Sequence, residues 1–107
     1  MNCESQYIIM RDKMCGITDL SHQDFEKARR FPIAYYRAIV ACALYSKGYS
    51  YIQIAKAMGK NHSTLVLICN KWRAVKDLMP YKDVKQISEK FHSKWVRKKL
   101  LYQDLNA

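Results

Sequence analysis

Acidic residues, glycine and proline are all scarce in this chain. Its 107 residues include nine Asp and Glu against nineteen Lys and Arg, three Gly and two Pro. The acidic deficit leaves a formal net charge of +10, which favours a polyanionic partner: nucleic acid first, an acidic membrane surface second. The few Gly and Pro serve as punctuation, and no segment of useful length alternates apolar and polar side chains as a half-buried strand does. No apolar run approaches the length of a membrane-spanning helix. The start, Met1-Asn2-Cys3-Glu4-Ser5-Gln6, lacks a basic stretch leading into an apolar one, so no signal peptide is expected and the location expected is cytoplasmic, at the nucleoid. Cys3, Cys15, Cys42 and Cys69 show no C-x-x-C spacing and no paired His at zinc-finger distance, so neither a metal site nor a disulfide framework is expected. Cys42 and Cys69 read as small buried hydrophobes. Paired carboxylates and metal-spaced His are missing too. No enzymatic activity, cofactor or metal is expected, and a nuclease ranks last among the candidate functions.

What is present is a globular composition, half hydrophobic with eight Tyr, three Phe and two Trp. That suits one all-α domain over 1–107, a compact helical bundle. The first helix is expected over about Gln6–Cys15 with Tyr7, Ile8 and Met14 apolar, and Gly16 in the turn after it. The second runs from about Ser21, a candidate N-cap, to Arg29. A third, over about Ile33–Lys47, is apolar around most of its circumference and reads as the central buried helix. Pro32 stands near its start and Gly48 supplies a left-handed residue to stop it. A pair of helices covers about Ser50–Met58 and His62–Asp77. Beyond Pro80 a last helix spans about Lys82–Leu101, with Val84, Ile87, Phe91 and Trp95 as its stripe and a basic end at Lys94–Lys99 that suits either phosphates or solvent.

The pair carries the functional reading. Ser50-Tyr51-Ile52-Gln53 is a capping box. Gly59-Lys60-Asn61 forces a tight turn, and Asn61 or Ser63 caps the helix that follows. Leu65, Ile68, Cys69, Trp72 and Val75 form that helix's inward face. A two-turn helix, a tight turn and a second helix read as a helix-turn-helix. Ala55, Gly59 and Leu65 stand where that motif has its small residue, its glycine and its branched apolar residue. The outward residues Lys60, Asn61, Ser63, Thr64, Asn70, Lys71 and Arg73 are all polar or basic, and free N–H groups at the second helix's start would anchor a phosphate.

From about Ile8 to Phe91 the chain resembles the C-terminal DNA-binding domain of the bacterial replication initiator DnaA, which has a Trp-repressor-like helical fold. The residues that carry the likeness are Ile8-Ile9 through Met14-Cys15-Gly16-Ile17-Thr18-Asp19-Leu20, the basic run Lys27-Ala28-Arg29-Arg30, Arg37-Ala38-Ile39, Ser50 to Met58, and Lys60-Asn61-His62-Ser63-Thr64-Leu65. The resemblance implies sequence-specific binding of double-stranded DNA, in replication control or transcriptional regulation. His62, Ser63 and Thr64 would meet bases and phosphates in the major groove. Lys60 and Lys71 would hold phosphates. Arg29, with Lys27 and Arg30 in the same basic loop, would enter the adjacent minor groove, and Arg37 would reach a base edge or the backbone. Asn61 reads equally as a helix cap or a base contact, and as a base contact it would pair bidentately with adenine. His62 contacts DNA or packs beside the cap. Leu67 meets a thymine methyl or is an ordinary exposed apolar residue.

The chain also departs from that family. Its turn is one residue shorter, Asn61 stands where the family has an acidic residue, and no G-x-x-x-x-G-K-[ST] phosphate loop occurs. An alternative is an adaptor that keeps the helix-turn-helix for protein contacts and no longer binds DNA.

Overall fold

The computed structural model describes residues 2–93. Among them are six α-helices and no strand: α1 (Cys3–Thr18), α2 (His22–Lys27), α3 (Ile33–Ser46), α4 (Tyr51–Met58), α5 (His62–Val75) and α6 (Lys82–His92), with a 3₁₀ turn at Met79–Tyr81 before α6. The expected all-α bundle is what forms. Trp95 and the basic run Lys94–Lys99 lie outside the described residues.

Helix α3 is the hub. Ala38, Ile39, Val40, Ala41 and Leu44 are fully buried, and α1, α2, α4, α5 and α6 all pack on it. Four consecutive buried residues cover more than one face, which is why its apolar character runs around the helix. Met14 from α1, Phe25 from α2, Ile54 from α4, Cys69 from α5 and Val84 from α6 complete the core. Cys42 is only partly buried and joins its edge. All four cysteines are free thiols. No helix among the described residues is long and apolar enough to cross a membrane.

Several boundaries differ from the sequence reading, each for a local reason. Helix α1 is longer at both ends. Asn2 caps it, its Oδ1 accepting from the Ser5 N–H at 2.8 Å. At the far end Gly16 stays helical, since one helical glycine costs only about 1 kcal/mol. The chain turns instead at Asp19, in the left-handed region at φ 58°. Ile8 is exposed rather than packed; Tyr7, Met10 and Met14 make the buried stripe.

Helix α2 stops two residues early, at Lys27, with Ala28 extended. Arg29 and Arg30 therefore sit in the loop before α3. Helix α5 ends at Val75 rather than Asp77, and α6 stops at His92, followed by the non-helical Ser93.

Candidate nucleic-acid interface

Helices α4 and α5 and the turn between them are built almost wholly by local rules. Both halves of the capping box form: Gln53 N–H donates to Ser50 Oγ at 3.2 Å, and Ser50 N–H donates to Gln53 Oε1 at 2.9 Å. Gly59 ends α4 at φ 66°, ψ 34°. The Lys60 N–H then donates to the Ala55 carbonyl at 2.9 Å, closing the helix as a left-handed residue allows. Leu65, Cys69 and Trp72 face inward and are buried; Ile68 and Val75 flank them, half-buried. Lys60, Asn61, His62, Ser63, Thr64, Asn70, Lys71 and Arg73 are all exposed, and so is Leu67.

The basic loop is tied to this unit by two long cationic side chains. Arg37, on α3, donates from Nη1 to the carbonyls of Phe25 at 2.8 Å and Ala28 at 2.6 Å. Lys60 donates from Nζ to the carbonyl of Glu26 at 2.6 Å. These carbonyls close the last turn of α2, where the helix has no N–H of its own to offer. The two cations therefore satisfy the helix end and hold Lys27–Arg30 against the α4–α5 turn. Arg37 is half-buried in doing so.

The product is a groove of about 490 Å³ lined by Lys27, Arg29, Arg37 and Lys60, with Thr64 at its side and Ala34, Met58, Leu65 and Ile68 beneath. Among the described residues no carboxylate lines it; the Glu26 side chain bonds Arg11, 3.0 Å away. The crowding of like charge shows in the ionisation of the two anchoring cations. Partial burial pulls the Lys60 ammonium below the usual lysine range; Arg37, Arg29 and Lys27 add to the pull, and Glu26 opposes it. Burial also lowers Arg37, with Tyr7 opposing the shift and Arg29 reinforcing it. Such a cluster is stabilised when an anion arrives.

Five of the ten residues singled out in the sequence thus share one groove: Lys27, Arg29, Arg37, Lys60 and Thr64. His62 and Ser63 stand in the first turn of α5 beside Thr64. Lys71 lies two turns further along the same helix, and Arg30 follows Arg29 in the loop. Arg37 and Lys60 have structural work that the sequence reading does not give them. The apolar floor of Ala34, Met58 and Ile68 is likewise absent from that reading, since it comes from three separate helices.

Asn61 is the N-cap of α5. Its Oδ1 accepts from the Ser63 N–H at 2.9 Å and the Thr64 N–H at 3.4 Å. Two of the N–H groups expected to be open for a phosphate are therefore taken. Bidentate pairing of Asn61 with adenine also needs Oδ1, so it competes with the cap. Asn61→Ala is expected to cost about 1 kcal/mol of stability, the usual worth of such a cap. Asn61→Asp, an equally good cap placed at the helix's positive end, should hold the melting temperature. Thermal melts of the three proteins check this, and an Ala variant that melts with the wild type would show the cap to be idle.

Among the described residues no group of three or more His, Cys, Asp or Glu is placed to hold a metal ion. In comparisons with protein families, curated proteins and solved structures, the chain matches none.

Proposed function

We propose that this chain is a sequence-specific binder of double-stranded DNA, built on a helix-turn-helix over α4 and α5, and that it acts at the nucleoid in replication control or transcriptional regulation. The observation that carries the reading is the convergence of the basic loop with the α4–α5 turn. Lys27 and Arg29 are more than thirty residues from Lys60 and Thr64 in sequence, yet all four line one groove. A protein that reads duplex DNA from two sides of one strand needs such a pair: a helix for the major groove and a cationic loop for the minor groove beside it. The exposed polar face of α5, running from His62 to Lys71, suits the first task. The loop residues Arg29 and Arg30 suit the second.

Within this proposal the roles divide by position. Thr64, His62 and Ser63 read base edges, and Lys71 holds a phosphate. Lys27 adds charge at the loop. Arg37 acts through the loop, by fixing the carbonyls of Phe25 and Ala28, rather than on DNA itself. Asn61 orders the start of the reading helix, and Lys60 combines a phosphate contact with its bond to Glu26. No catalytic step, cofactor or metal belongs to the proposal.

The test is selection of bound duplexes from a random pool, with wild type and Arg29→Ala side by side. Wild type should return one motif. Arg29→Ala should bind more weakly and lose an A·T preference at one end of the site, because an Arg in a narrow minor groove reads width and A·T content. A pool that returns no motif with wild type would sink the proposal.

A further inference from the structure

The groove between the basic loop and α5 has two chemically distinct parts. Its rim is cationic: Lys27, Arg29, Arg37 and Lys60, with Thr64 adding a hydroxyl. Its floor is formed by the half-buried Ala34 and Ile68, with the buried core residues Met58 and Leu65 behind them. A second groove among the described residues shares this chemistry only in part. It is smaller, about 270 Å³, and is lined by Lys13, Lys47 and His92 around Ile9, Met10 and Phe91.

A phosphate alone would satisfy the rim and leave the half-buried Ala34 and Ile68 wet. An apolar molecule alone would cover the floor and leave four cations at the rim with only Glu26 nearby as a partial counter-charge. Pockets for small molecules combine both features: a mostly apolar concavity of a few hundred Å³ and a few converging polar groups that fix orientation. An ammonium carries three N–H donors and a guanidinium five. Lys60 therefore has donors beyond its bond to Glu26, and Arg37 has donors beyond its two carbonyls.

We infer that this groove binds a small amphipathic anion, a compact apolar body bearing one phosphate or carboxylate head. The body lies on Ala34 and Ile68, over the edges of the buried Met58 and Leu65. The head meets Arg29 and Lys60 at the rim. This goes beyond the DNA-binding reading and does not depend on it. If duplex DNA also uses the rim, such a ligand and DNA exclude each other, which would make the groove a point of control.

The experiment is titration of the full chain, without DNA, followed by amide chemical shifts. The probes are phenyl phosphate, inorganic phosphate and phenol. Phenyl phosphate is expected to bind about tenfold tighter than inorganic phosphate, as burial of an aromatic ring implies, and also tighter than phenol. Its shifts should centre on Ala34, Lys60, Thr64 and Ile68. Arg29→Ala, at an exposed loop position, should weaken phenyl phosphate severalfold without lowering the melting temperature. Ile68→Ser should narrow the gap between phenyl phosphate and inorganic phosphate. Lys47→Ala, in the other groove, should change nothing. Phenyl phosphate binding no tighter than inorganic phosphate, or shifts centred on Lys13, Lys47 and His92, would overturn the inference. No DNA is present, so failure here and failure of DNA binding are separate results.

Discussion

Trp72→Ala should unfold the domain or leave it barely folded, at a cost of about 3–5 kcal/mol. Trp72 is 4% exposed and lies where α5 crosses α3. Its ring sits 5.8 Å from that of Tyr35. Tyr35 in turn meets Tyr81 edge-on at 5.3 Å and Phe31 at 5.8 Å. One side chain on α5 thus anchors a cluster joining α3 to the 3₁₀ turn before α6. Removing it leaves a void beside the Tyr35 ring at the α3–α5 contact, and a close-packed site that collapses only partly keeps much of the cavity cost. Small domains have about 5–15 kcal/mol in total, and this one sits at the low end by size. A thermal or urea melt measures the loss. Trp72→Phe retains an aromatic ring and should recover part of it. A Trp72→Ala protein that melts with the wild type would mean the α3–α5 contact does not hold the domain together.

The inward placement of Trp72 is readable without coordinates, as is much of the α4–α5 unit. The capping box at Ser50 and Gln53, the left-handed Gly59 and the stripe from Leu65 to Trp72 all depend on residues within a turn or two of one another. Local rules decide them, so the sequence carries them openly. Long α3 is legible for a different reason: its apolar residues are too many for one face, and only a central position accommodates them.

What was hidden depends on contacts distant in sequence. Nothing near Lys27 marks the end of α2, because its last carbonyls are satisfied by Arg37 and Lys60, nine to thirty-four residues away. The same contacts hide the structural role of those two cations. A basic residue opposite a helix end and one facing a phosphate look alike in a sequence. Asn61 shows the converse. Its two readings, cap and base contact, are both local, and the bonds to Ser63 and Thr64 assign its oxygen to the cap. The groove floor was out of reach altogether, since Ala34, Met58 and Ile68 look like ordinary helix residues until three helices bring them together.

Affinity for duplex DNA should fall on the order of a thousandfold or more between 50 and 200 mM salt. A surface that neutralises roughly 6–10 phosphates releases a comparable number of condensed cations, and that release weakens as salt rises. The supply of positive charge is ample. Lys27, Arg29, Arg30, Lys60 and Lys71 are exposed on the loop, the α4–α5 turn and α5, within a chain of net charge +10. Lys71→Ala is the cleanest probe of the counting. Lys60 also bonds Glu26, so truncating it disturbs the loop as well as the charge. Lys71→Ala should weaken binding to all sequences alike and lower the slope of log affinity against log salt by about one. Fluorescence anisotropy with a labelled duplex at several salt concentrations gives both slopes. Two outcomes would count against the DNA-binding reading: an affinity that holds between 50 and 200 mM salt, or a slope that Lys71→Ala leaves unchanged while Lys85→Ala on α6 lowers it. The second would move the phosphates to the wrong face of the molecule, because α6 carries no part of the groove.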